Sequence, residues 1–210
     1  MGQIVFLLEM IGTIAFASSG AMVGIYKKMD LFGVIVMAVT TAVGGGLVRD
    51  MILGYLPPAA FTDPIYVILS TACATSLFIT IYNRKHFSGK KVIFLYEKTM
   101  TIMDAVGLGV FTTLGIEKAY ENGYQNELFF LVFLGILTGV GGGVIRDVLA
   151  QKTPLIFRKQ IYACASLIGA LFCALCMPFS KDIAMIGGTC LVIVIRLLAV
   201  VYHWNLPKMK

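Results

Sequence analysis

Two eight-residue stretches hold the groups best suited to chemistry in an otherwise apolar chain: Val43-Gly44-Gly45-Gly46-Leu47-Val48-Arg49-Asp50 and Val140-Gly141-Gly142-Gly143-Val144-Ile145-Arg146-Asp147. Three consecutive glycines cost a helix roughly 1 kcal/mol each against alanine, so a helix crossing them is expected to kink or break. Inside a bilayer, broken backbone is tolerated only where protein buries it or where it lines a water-filled cavity. A break would expose carbonyls able to hold a cation and amides able to hold an anion. The alternative is close helix packing through small residues. Arg49 with Asp50, and Arg146 with Asp147, put charge at or just inside the bilayer boundary, where a charge is costly unless paired or used. Each pair reads either as a gating charge at the mouth of a path or as an ion pair locking the segment.

Glu9 and Asp104 are further intramembrane carboxylates. Each begins a 3, 4, 4 spacing, Glu9-Gly12-Phe16-Gly20 and Asp104-Gly107-Phe111-Gly115, that keeps the set on one helical face. As interior groups they would attract cations, with Arg196 and Lys98 as the natural counter-charges; as interface groups they would do nothing special. A polar lining for a path is available from Ser18, Ser19, Thr40, Thr41, Thr112, Thr113 and Thr138. Tyr26, Tyr55, Tyr66 and Tyr162 sit near the ends of apolar runs and read as interface anchors. No enzyme and no cofactor is expected. The glycine motif lacks the lysine-serine ending of a phosphate-binding loop, and neither histidine has a metal-ligand partner at useful spacing. The five cysteines lie in apolar runs and read as small packed hydrophobes.

The elements that must position these residues follow from composition. The chain is 59% hydrophobic and 13% charged, against roughly 45–50% and 25% in soluble domains, which makes it a polytopic, all-α membrane protein with the lipid bilayer as its main partner. Its net charge of +6 does not point to nucleic acid, because the basic residues fall in short gaps between apolar runs, where they set topology. Seven transmembrane helices are expected, at about Gln3–Tyr26, Leu31–Leu53, Pro64–Tyr82, Phe94–Ile116, Leu128–Ala150, Gln160–Phe179 and Ile183–Trp204. The first, with no basic residues before it, reads as a retained span. One face collects Lys27, Lys28, Arg84, Lys85, Lys90, Lys91, Lys152, Arg158, Lys159, Lys208 and Lys210, and the other only Lys118 and Lys181. An N-terminus outside and a C-terminus in the cytoplasm follow.

The halves repeat beyond the glycines. Pro57 matches Pro154, and Phe61 with Tyr66 matches Phe157 with Tyr162. This gives a three-helix repeat over 1–90, a second over 91–180, and a seventh helix with a tail over 181–210. An odd number of crossings per unit forces the two copies into opposite orientations, and transported species bind near the midplane of such inverted repeats.

The doubled three-span unit with GGGxxRD, plus a seventh span, resembles the prokaryotic trimeric intracellular cation (TRIC) channels, whose repeated unit is also known as a glycine transporter domain. The likeness covers essentially the whole chain. It implies an inverted 3+3+1 plan, a homotrimer in the prokaryotic inner membrane, and an ion path inside each protomer, kinked at Gly44, Gly45, Gly46, Gly141, Gly142 and Gly143. It also implies permeability to potassium and sodium. Two functions follow: a monovalent-cation channel, and a carrier for glycine or a similarly small amino acid held by helix amides and carbonyls.

Overall fold

The computed structural model describes residues 2–83, 89–158, 161–202 and 204, with the side chains of residues 89–97 and 158 excepted. The described residues form helices α1 Gln3–Tyr26, α2 Leu31–Leu53, α3 Ala59–Thr62, α4 Ile65–Tyr82, α5 Gly89–Glu121, α6 Leu128–Leu149, α7 Leu155–Arg158, α8 Ile161–Cys176 and α9 Lys181–Val201. Local chemistry sets several ends. The Asp30 carboxylate accepts from Gly33 N at 2.7 Å to start α2, and Gly54, at φ 78°, ends it in the left-handed conformation that a residue without a Cβ adopts cheaply. After Pro57-Pro58 and again after Pro154 the chain makes a single helical turn, α3 and α7, before the next long helix.

Among the described residues, six helices are long and apolar enough to cross a membrane, and α8 is a shorter apolar one of 16 residues, about 24 Å against a hydrocarbon core of about 30 Å. The chain is an all-helical integral membrane protein. Helices α1, α2, α5 and α6 form the centre, with α4 against α1 and α2, α8 against α5 and α6, and α9 against α5 and α8. Helix α5 is central, with 72% of its span buried, and α4 peripheral, with 11%. The outward apolar side chains, such as Phe6, Ile68, Phe129 and Phe179, present a surface suited to lipid.

Two expectations change, and a third rests partly on residues outside those described. Helix α5 reaches Glu121, past the expected end at Ile116, so Glu117, Lys118 and Glu121 ride on its last turns. Of the basic residues used to orient the chain, Arg84, Lys85, Lys159, Lys208 and Lys210 lie outside the described residues. Most importantly, neither triple glycine interrupts its helix: α2 and α6 are continuous through both. The energies explain this. Three glycines forfeit about 3 kcal/mol of propensity, whereas each backbone group left unbonded away from water costs several kcal/mol.

What the glycines provide is closeness. A Cβ on Gly45 would overlap the Thr138 carbonyl oxygen, and one on Gly142 would overlap that of Thr41. A Cβ on Gly141 would come within 3.0 Å of the Gly45 Cα. The contact is reciprocal, and so is the one between α1 and α5. Phe16 fills the space above Gly107, Val110 and Phe111 the space above Gly12, and the two phenylalanine rings stack with centroids 5.1 Å apart.

Candidate functional site

The carboxylates of both Arg-Asp pairs do the same two jobs. Asp50 Oδ1 accepts from Arg49 Nε at 2.8 Å, and its Oδ2 accepts from Ala59 N, the first residue of α3, at 2.9 Å. Asp147 Oδ1 accepts from Arg146 Nε at 2.9 Å, and its Oδ2 accepts from Leu155 N, the first residue of α7, at 2.9 Å. Each aspartate thus holds its neighbouring guanidinium and caps the one-turn helix beyond the prolines, satisfying an otherwise orphaned amide.

Beyond that shared frame the halves differ. In the first, Arg49 Nη2 also bonds Asp50, at 2.7 Å, and Glu9 Oε2 accepts from the Tyr66 hydroxyl at 2.8 Å. These residues, with Thr13, Gly46, Phe111 and Lys118, border a cavity of about 80 Å³. Two carboxylates and two cations therefore face one small space with both signs of charge. In the second half, Arg146 is fully buried and its Nη1 donates to Asp104 Oδ1 and to Ser19 Oγ, both at 2.6 Å. Asp104 Oδ2, Arg146 Nη2 and the Tyr162 hydroxyl are buried without a partner among the described residues. Arg196 from α9 lies over the Tyr162 ring, 4.6 Å from its centroid.

The structure thus brings Glu9, Arg49 and Asp50 to one end and Asp104, Arg146 and Asp147 to the other, with the glycines between. It gives Asp104 a different partner from the one expected: Arg146 replaces Arg196 and Lys98, and Lys98 is exposed. The hydroxyls are mostly spent inside the protein. Thr112 bonds Ser166 at 2.8 Å and Thr113 bonds Thr189 at 2.9 Å. Thr41 and Thr138 return to carbonyls of their own helices at 2.6 Å each, Thr40 does so at 2.7 Å, and Ser18 bonds Ile14 O at 2.7 Å.

Two tyrosines assigned to the interface belong to the site instead: Tyr66 touches Glu9, and Tyr162 is only 1% exposed. Their matching places in the two repeats, each following an Arg-Asp pair, were the signal that could have identified them. A third polar group had no motif to announce it. Lys181 of α9 donates to Glu117 at 2.7 Å and also to Glu121, tying α9 to the end of α5.

Comparison with known proteins gives this doubled arrangement a family. A family model described as "Glycine transporter" matches twice, over residues 6–82 and 101–178. A "UPF0126 membrane protein" of Vibrio cholerae is 39% identical over 98% of this chain and 82% of its own. The "UPF0126 inner membrane protein YadS" of Escherichia coli K12 is 39% identical over 98% and 96%. Among solved structures, the TRIC trimeric intracellular cation channel orthologue from Rhodobacter sphaeroides superposes with a TM-score of 0.86 at 28% identity, over 97% of this chain and all of that one. A prokaryotic TRIC channel crystallised in 0.5 M KCl gives 0.87 at 33%, over 98% and 100%. Two matched copies of one repeat, and a likeness to solved channels that runs nearly end to end, place the chain in the TRIC family, whose repeated unit carries the glycine transporter description.

Proposed function

We propose that the protein is a monovalent-cation channel, passing potassium and sodium, with a path inside each protomer of a homotrimer. The observation that carries this reading is the whole-chain likeness to structures of TRIC cation channels. The cavity beside Glu9 and Arg49 supports it. At about 80 Å³ it has room for several waters, and the buried carboxylates Glu9 and Asp50 give a partly dehydrated cation oxygen ligands. Of the triple glycines, Gly46 borders this cavity, where the lack of a side chain leaves the wall thin.

The rest of the plan follows the sequence. The units are 1–90 and 91–180, and 181–210 is the appended helix. The two units lie inverted, and the reciprocal contacts of Phe16 with Gly107 and Phe111 with Gly12 support that. Helix α8 completes seven crossings, which puts the N-terminus outside and the basic face in the cytoplasm. Arg49, Asp50, Arg146, Asp147, Asp104 and Glu9 are the charges at the two ends of the path.

A second reading is favoured by one feature, the balance of charge around the cavity. Glu9 and Asp50 face Arg49 and Lys118, a set able to hold both ends of a small zwitterion such as glycine. Reconstitution separates the two. Unitary potassium currents in planar bilayers, reversing at the potassium equilibrium potential, are expected for the channel. Saturable glycine uptake by the same protein, without unitary currents, would overturn it in favour of the carrier.

A further inference from the structure

The two polar clusters are built from like residues at matching positions, yet they stand in different arrangements. Tyr66 donates to Glu9 at 2.8 Å, whereas the buried Tyr162 hydroxyl has no partner among the described residues. Arg146 crosses to Asp104 at 2.6 Å, whereas Arg49 bonds Asp50 and leaves Glu9 to the tyrosine. The first arrangement borders a cavity. In the second, Asp104, Arg146 and Tyr162 are almost wholly buried against one another.

The unmet groups of the second cluster complement each other. A Cβ on Gly143 would lie 3.0 Å from the Tyr162 oxygen, 3.6 Å from Arg146 Nη2 and 3.6 Å from Asp104 Oδ1, the oxygen already bonded to Arg146, so the Asp104 carboxylate and the two unmet groups border one point. Asp104 Oδ2 and the Tyr162 hydroxyl each bear the desolvation cost of an unbonded buried group. A single hydrogen bond between them would remove both costs, and it is the bond that Tyr66 and Glu9 already make in the other half. The seam between the halves is reciprocal, Phe16 over Gly107 and Phe111 over Gly12, Gly45 under Thr138 and Gly142 under Thr41. A seam of that kind offers equivalent contacts when the halves trade arrangements.

We propose that the chain has a second conformation in which this trade occurs, so that Arg49 pairs with Glu9 and Tyr162 donates to Asp104. The first cavity then closes, and an equivalent site, bordered by Asp104, Arg146 and Asp147, opens at the other end for the same class of ligand, a monovalent cation with its remaining water. This rests on the permeation reading above and adds a second ion site and the bonds that change when it forms.

Tyr162→Phe removes a hydroxyl that bonds nothing in the arrangement observed. Its unfolding temperature is therefore unchanged or higher, while potassium flux into vesicles falls about tenfold, because a hydrogen bond to a charged group is lost from the second conformation alone. To follow the conformations without flux, single cysteines replace Gly46 or Gly143 in a chain whose five native cysteines are changed to serine or alanine, and a small cationic methanethiosulfonate modifies them. Gly46→Cys is expected to react faster than Gly143→Cys. Adding Tyr66→Phe shifts that ratio about tenfold toward position 143, and Tyr162→Phe shifts it the other way. Rates that ignore both tyrosine changes, or that rise and fall together, overturn the proposal, as does a Tyr162→Phe chain that loses stability and flux in parallel. Rates that trade in a chain passing no potassium would keep the exchange and remove the channel reading; unitary currents with rates that do not trade would do the reverse. The comparison of flux with stability in the two phenylalanine variants needs no cysteine and stands even if Gly143→Cys does not assemble.

Discussion

Replacing adjacent glycines of one motif by alanine separates close packing from helix breakage. At Gly45 the new Cβ would overlap the Thr138 carbonyl oxygen, with the Thr138 carbonyl carbon at 3.2 Å and Gly142 N at 3.4 Å. These are backbone atoms of another helix and cannot rotate aside, so α2 and α6 must move apart, an overpacking cost of about 1–3 kcal/mol. At Gly46 the only neighbour of the new Cβ among the described residues is Arg49 Nη2 at 3.8 Å, ordinary contact. Both substitutions gain the same helix propensity, about 1 kcal/mol, so it cancels between them. Gly46→Ala should be stabilised by up to that amount, and Gly45→Ala should fall below it by about 1–3 kcal/mol, a melting difference on the order of 5 °C.

Thermal unfolding of the purified protein in detergent, together with potassium flux into vesicles, reads both quantities. If the glycines served to break the helix, alanine at either position would mend the break, raising stability at both sites and impairing flux at both. Equal gains in stability for the two variants, with flux lost in each, would refute the packing account. A stable and conducting Gly46→Ala beside an unstable Gly45→Ala is the expected result.

Further outcomes follow from the buried charges. Arg146→Met strands Asp104 and Asp147 inside the protein and should cost about 3–5 kcal/mol, part of it recovered in the double variant with Asp104→Leu, which leaves Asp147 alone, as chemical unfolding would show. Asp50→Asn weakens the hold on Arg49 and the cap on α3; a loss of about 1–2 kcal/mol is expected, with proteolytic cleavage increasing near the Pro57-Pro58 turn. Lys181 is 38% exposed and serves the buried Glu117 and the exposed Glu121. Glu121→Gln should therefore change stability by less than about 0.5 kcal/mol, whereas Lys181→Met, which leaves Glu117 alone, should cost about 1 kcal/mol and loosen α9, measurable by hydrogen exchange over its first turns.

Helix positions were legible because their causes are local. Helices α1 and α2 match the expected spans residue for residue, since a segment in lipid must satisfy its own backbone and its apolar length is written in the chain. The C-terminal end of α5 was misjudged for a related reason. Glu117 and Lys118 look like loop residues until α9 is present to cover Glu117 and supply Lys181. The turns α3 and α7 were missed because each depends on an aspartate eight or nine residues upstream to cap it.

By itself the sequence determined the solvent this protein lives in, the number and places of most of its long helices, the doubling of its architecture, and the presence of an Arg-Asp motif in each half. All of these follow from composition, apolar run length and repeated spacing, which act through neighbours along the chain. Only the tertiary structure decided that the glycine helices stay whole, that Arg146 is the partner of Asp104, that Tyr66 and Tyr162 belong with the charges, and that two like clusters adopt unlike arrangements. Those outcomes depend on which surfaces meet across α1, α2, α5 and α6, and two nearly identical motifs cannot encode a difference that exists only between their surroundings.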